Sequence, residues 1–361
     1  MICYRYRHWS DISVKELLYN EIYFCSADES NDPYEGKKFI KFKRNKSKWK
    51  KVFQDDNAFP ELYLYRNLFD KVVNFFCSRK EWTLQEILLL KEIDFSFLRE
   101  DLKEIGIFVD ILKELKEYFC KSFNSLEKYF VSFSKNCDNT AMWSHYADKH
   151  KGFCLIFNCY DNKLHQDPLN RKKELHVKTI IDSFPHSPFA NSPVAEYFDL
   201  CDIKYLNKLK YFDGFLPFVS NFQKNKEAIR ETYLQKSKAW INEEELRILL
   251  EFEGKYYIES KWSKTQRLFH YDFNQLVGII LGYRMEQEVR EQIIEIIKEK
   301  IETHYKEFGF CIFEAELSLK YQKVDLEPIM IINQNAKLIG KNNIEFDELY
   351  KNWTNNYGVK L

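Results

Sequence analysis

Between about Lys37 and Lys128 the chain carries a single glycine, Gly106, within long amphipathic patterns, while short strand-like patterns flank this stretch on both sides. Such a stretch must fold mainly as helices packed on, or covering, a strand-rich core, because three- and four-residue spacing of apolar side chains builds a helical face. Leu84, Ile87 and Leu88 mark one helix over Thr83–Leu98, and Ile105, Phe108, Ile111, Leu112, Leu115 and Phe119 mark another over Asp101–Phe123. The expected organisation is therefore an α+β core from residues 1–36 and 129–330, a helical insertion at 37–128 and a C-terminal extension at 331–361.

The flanking segments read as short elements. Tyr4-Arg5-Tyr6-Arg7 alternates as a strand, Ser10 or Asp11 caps a helix reaching Tyr19, and Glu21–Ser26 is a strand closed by the turn Ser30-Asn31-Asp32-Pro33. Further strands are expected at 129–134, 153–157, 202–206, 245–252, 276–281 and 308–317, with helices at 140–149, 217–240 and 287–306. Strands and helices out of strict alternation imply α+β rather than a doubly wound sheet.

Lysine plus arginine (55) balances aspartate plus glutamate (55), so no global field draws the protein to nucleic acid or an anionic membrane. The local exception is Lys37–Lys51, where nine of fifteen residues are basic and Phe39, Phe42 and Trp49 are interleaved. That run is a candidate nucleic-acid contact, against the commoner reading of a solvated basic surface. No apolar stretch approaches the roughly 18 residues of a membrane span, and the nine cysteines form no C-x-x-C pair. The expectation is a soluble, cytoplasmic protein with reduced thiols and no membrane partner.

Three motifs carry chemistry. On the first strand Arg5 and Arg7 share one face and Tyr4 and Tyr6 the other, so an arginine could clamp a pyrophosphate bidentately. Ser132-Phe133-Ser134 places two hydroxyls on one face, suited to fixing a ribose or a carboxamide beside aromatic rings. Glu243-Glu244-Glu245-Leu246-Arg247 opens a strand with two carboxylates, one able to stabilise an oxocarbenium-like ribose and the other to orient an acceptor. Each has a bland alternative: solvated arginines on an edge strand, serines toward solvent, a charged stripe paired with Arg247. In the helix Met142–Ala147, Trp143, Tyr146 and Ala147 form a packing stripe. His145 lies off it as a proton carrier, a ligand or, more commonly, a surface histidine. Cys137, His145 and His150 lack the spacing of a zinc site, so no metal is assigned.

Taken together these residues resemble a bacterial family known only as domain of unknown function 2971. The likeness rests on Tyr4–Arg7, Ser26, Asn31–Gly36, Phe133-Ser134, Met142–Asp148 with His150, Gly152–Cys154, Trp240 with Glu243, Glu245 and Arg247, and Ile279–Gly282. Arginine, Ser-x-Ser and Glu-x-Glu in this order also resemble one class of ADP-ribosyltransferases, with phenylalanine at position 133 where that class usually has threonine. That second resemblance implies a split, strongly bent mixed sheet and NAD as substrate. It gives catalytic roles to Glu245 and Glu243, and cofactor contacts to Arg5, Arg7, Ser132, Ser134, Tyr6, His145 and Tyr146. It implies a toxin or anti-phage effector with an unknown macromolecular acceptor. The alternatives are a non-catalytic sensor of nucleic acid or a phage component, and a metal-dependent nuclease built on Asp32, Glu35 and the Glu243/Glu245 pair.

Overall fold

The computed structural model describes residues 1–32, 34–35, 39–54, 58–59, 62, 65–91, 102–124, 128–178, 189–219, 222–250, 262–318, 320 and 323–359. Its centre is a nine-stranded sheet, whose strands we number β1 (Ile2–Arg7), β2 (Phe130–Ser134), β3 (Phe153–Asn158), β4 (Cys201–Asp202), β5 (Glu245–Leu249), β6 (Leu276–Leu281), β7 (Phe310–Ser318), β8 (Lys323–Ile332) and β9 (Leu338–Gly340). They lie in the order β4-β5-β2-β1-β3-β6-β7-β8-β9, with β6 and β7 parallel and the other neighbours antiparallel. The fold is α+β with a large mixed sheet and several small ones.

Alternation along the strands sends side chains into two cores. On one face Cys3, Val131, Phe133, Phe153, Leu155, Leu246 and Ile248 are covered by α1 (Asp11–Leu18), through Leu17, and by the helix Gln287–Thr303, through Ile293, Ile297 and Ile301. On the other, Tyr4, Tyr6, Cys154, Ile156, Ile280 and Phe313 pack under Trp143 and Trp353. Ser10 caps α1 by accepting from the Ser13 amide, one of the two caps expected there.

A third core unites the insertion with residues from a distant segment. Ile40, Phe42, Trp49, Val52, Phe76, Trp82, Leu115 and Phe119 pack with Phe212, Phe215, Ile229 and Tyr233. The insertion is thus not purely helical: Ile40–Lys43, Glu81–Thr83 and Phe212–Asp213 form a small sheet beside the helices Arg66–Phe76 and Leu102–Asn124. Of the helix expected at 83–98, Leu84–Leu89 is seen and residues 92–98 lie outside the described residues.

This core also answers the basic run. Phe42 and Trp49 are fully buried, so they cannot stack bases. Lys41 pairs with Glu81, Lys48 with Asp213 at 2.7 Å and Lys50 with Asp70 at 3.3 Å. Lys37 and Lys38 lie outside the described residues. Phe42 and Trp49 thus serve packing, while Lys43, Arg44, Lys46 and Lys51 stay exposed and Phe39 half-buried.

The boundary expected at residue 330 falls inside β8, and the segment after it completes the main sheet. Helix Phe346–Tyr357 inserts Trp353, fully buried, against the sheet, and its indole donates to the Val277 carbonyl at 2.9 Å. Truncating it should leave a cavity in the central core. Trp353→Ala is therefore expected to lower unfolding free energy by about 3–5 kcal/mol in urea titration. A loss below about 1 kcal/mol would mean that this helix is a detachable appendage.

A candidate active site where β1 and β2 part

The described ladder between β1 and β2 holds one pair, Tyr4 opposite Ser134. At its far end β2 turns instead to Cys25, which exchanges both backbone hydrogen bonds with Phe130 at 2.9 and 3.0 Å. Between these points the strands diverge, and a cavity of about 240 Å³ opens, lined by Arg5, Arg7, Tyr23, Glu35, Ser132, Tyr146, Lys236, Glu243 and Glu245 among others.

The register explains how the three motifs reach it. Glu245 lies opposite Ser134 and Arg247 opposite Ser132, so these four side chains share the face of Tyr4. Arg5 and Arg7 alternate onto the other face. They meet the rest only because the sheet parts: Arg5 Nη1 crosses the gap and donates to the Ser132 carbonyl at 3.1 Å. On that side Arg5 Nε donates to Glu16 Oε1 at 2.5 Å, and Arg7 Nε lies 2.6 Å from Glu16 Oε2. Two guanidinium groups share one carboxylate, which leaves this end of the cleft with one net positive charge.

The opposite end is a buried charge cluster. Ser132 Oγ donates to Glu245 Oε1 at 2.5 Å, and Arg247 donates to the same oxygen through Nε at 2.8 Å and Nη2 at 2.5 Å. Arg247 Nη1 also reaches Glu35 Oε1 at 2.7 Å and the Tyr233 carbonyl at 2.6 Å. Lys236 Nζ stands among three carboxylates, 2.6 Å from Glu243 Oε2, 3.0 Å from Glu245 Oε2 and 3.5 Å from Glu35 Oε2. Tyr146 donates its hydroxyl to Glu243 Oε1 at 2.6 Å. Three carboxylates against two cations leave one net negative charge. The Glu-x-Glu pair converges from two elements: Glu243 ends a 3₁₀ helix, Glu244 takes a left-handed conformation at φ 44°, and Glu245 begins β5.

Burial alone would push the Glu245 carboxyl up, but Arg247, Lys236 and the Ser132 hydroxyl outweigh it and hold it below its ordinary value of 4.5. Burial likewise raises the nearby Glu29, yet bonds from Arg267, the Ser26 amide and Tyr23 bring it down to about 2. Groups lowered in the folded state stabilise it above their unfolded value and lose that contribution as pH falls through the folded value. The urea midpoint should therefore hold from pH 7 to about pH 5 and fall between about pH 4.5 and 2, with a shallower fall in Glu29→Gln. An unchanged slope in that variant would show that Glu29 makes no such contribution.

The remaining candidates separate by burial. Ser134 is almost wholly enclosed, its hydroxyl donating to the Glu243 carbonyl at 2.8 Å and accepting from the Asn136 amide at 3.1 Å. That makes it a brace between β2 and the Glu243 turn. Tyr6 braces the same loop through the Asn136 carbonyl at 3.0 Å and stands edge-on to Trp143. His145 is exposed on its helix and does not line the cleft. Among the described residues no group of three or more His, Cys, Asp or Glu stands where it could hold a metal ion. The carboxylates considered for a nuclease are met instead by Lys236 and Arg247, and Asp32 accepts from the Tyr34 amide at 2.9 Å. Pro33 of the expected turn, and Gly36, lie outside the described residues.

Residues 142–248 match a family model, Protein of unknown function (DUF2971). The match takes in the Met142–Ala147 helix and the Glu243–Arg247 strand start, whereas Tyr4–Arg7, the turn at 31–36 and Ile279–Gly282 fall outside it. No curated protein and no solved structure matches the chain. Among the described residues no helix is long and apolar enough to cross a membrane. Lys236 lies within the matched span but went unread in the sequence, because it sits on a three-residue strand, Gln235–Ser237, with no periodic signal.

Proposed function

We propose that the cleft binds NAD and that the protein breaks its nicotinamide–ribose bond and transfers ADP-ribose. One observation carries this reading: Arg5 contacts the Ser132 backbone while the Ser132 hydroxyl holds Glu245, so cation, alcohol and anion from three distant segments face one hollow. The positive end at Arg5 and Arg7 suits the pyrophosphate, which guanidinium groups grip by paired hydrogen bonds. Ser132 and Glu245 suit the nicotinamide ribose. As the C1′–N bond breaks, nicotinamide leaves with the bonding pair, and a fixed carboxylate nearby stabilises the positive charge left on the ribose. Tyr146, which also lines the cleft, offers an aromatic ring to the cationic nicotinamide. Ser134 and Tyr6 serve this reading as braces, and His145 has no part in it. Draining NAD or modifying a macromolecule would equip such a protein as a toxin or anti-phage effector.

Incubation with adenine-labelled NAD tests the proposal. The expected products are free nicotinamide together with ADP-ribose, either free or attached to a macromolecule. Intact NAD after prolonged incubation with folded protein and a cell extract would end it.

A further inference from the structure

Resting on the NAD reading, we propose that this site hands the ribosyl group to a neutral oxygen nucleophile, water or a hydroxyl, and excludes guanidinium acceptors, with Lys236 as the residue that sets this choice. A guanidinium acceptor is oriented by a carboxylate whose two oxygens are free to take its parallel N–H groups. Four glutamates line the cleft, and both oxygens of each are already engaged. Glu243 gives Oε1 to Tyr146 and Oε2 to Lys236. Glu245 gives Oε1 to Ser132 and Arg247, and Oε2 to Lys236. Glu35 is met by Arg247 at Oε1, and by Ser30 and Lys236 at Oε2. Glu29 is held on both oxygens by Tyr23 and Arg267.

Lys236 is the common cation of three of the four, donating to Glu243 and Glu245 and lying 3.5 Å from Glu35, and it is only 5% exposed. Its ammonium fills the place between Glu243 and Glu245 that an acceptor cation would need. An arriving guanidinium would have to expel it, or face its charge unpaired, at a cost in a buried site. A neutral oxygen needs no such carboxylate. In the step itself C1′–N breaks with its electron pair leaving on nicotinamide, C1′–O forms, and the proton of the attacking O–H passes to solvent.

Purified protein incubated with labelled NAD alone, with methanol and with agmatine separates the outcomes. Water should yield ADP-ribose and methanol the methyl glycoside. The agmatine conjugate should stay below about one-tenth of the hydrolysis product, the discrimination expected when one charged hydrogen-bond pair is unavailable. Lys236→Ala should raise the conjugate-to-hydrolysis ratio about tenfold, and Lys236→Arg should keep the wild-type pattern. Agmatine as the preferred acceptor of the wild-type protein would overturn the proposal while leaving NAD consumption in place. Absence of any NAD loss would remove the dinucleotide reading beneath it. The wild-type product ratio decides the matter even if Lys236→Ala fails to fold.

Discussion

Replacing Arg247 by methionine should destabilise the fold by about 3–5 kcal/mol, among the largest effects of any single substitution in this chain. Arg247 is wholly enclosed, lies on β5 over the Phe130 ring at 4.2 Å, and answers both Glu245 and Glu35. Methionine keeps much of the volume but leaves three buried carboxylates with Lys236 as their counter-ion, and it removes a donor from the Tyr233 carbonyl. Uncompensated buried charge, rather than lost packing, then dominates the cost. The charge origin can be separated from shape by a second substitution. Arg247→Met combined with Glu35→Gln should be less destabilised than the two single losses summed, because one stranded carboxylate has gone. Urea titration at pH 7 reads both, and additive losses, or a single loss below about 1 kcal/mol, would refute a cluster held together by charge. Because Tyr233 belongs to the core built on the insertion, the same experiment asks whether that unit supports the cleft.

Strand character was easiest to read where one physical requirement acted alone. Leu276–Leu281 is entirely buried, and its unbroken apolar run marks it with no competing reading. β1 was equally plain from its alternation. What alternation could not reveal is that its arginines face away from Ser132 and Glu245, and that parting of the sheet, a tertiary event, reunites them. The spacing over 217–240 predicts one helix, yet the chain forms Leu216–Val219, Phe222–Tyr233, a short strand and a 3₁₀ turn. Pairing of Gln235–Ser237 with Lys204–Leu206 overrides helical spacing there, and it is this strand that aims Lys236 into the cleft. The expected strand at 202–206 divides for the same reason, with Cys201–Asp202 joining the main sheet. β8 carries Pro328 in its middle, where proline normally argues against a strand. A register shift between Ile312 and Phe313 on the partner strand accommodates it. The site was thus legible as three motifs, while the cation that binds two of its carboxylates was not.

Glu245→Gln should lower NAD consumption by about 10²–10³-fold, the scale on which a fixed group facing developing charge contributes. The substitution preserves shape and removes only the charge, so binding of NAD through Arg5 and Arg7 should survive and the loss should fall on turnover rather than on KM. Two features of the structure sharpen the expectation. Glu245 carries its charge despite burial because Arg247 and Lys236 sustain it, so a neutral amide there cancels the net negative charge of the cluster and with it the support for an oxocarbenium. Ser132 fixes the carboxylate from the side facing Arg5, so Ser132→Ala should produce a smaller loss in the same direction by loosening a group it does not replace. Turnover in folded Glu245→Gln within about threefold of wild type would sink the carboxylate's role. A loss confined to KM would instead make Glu245 a binding group and move the chemistry to another part of the cleft.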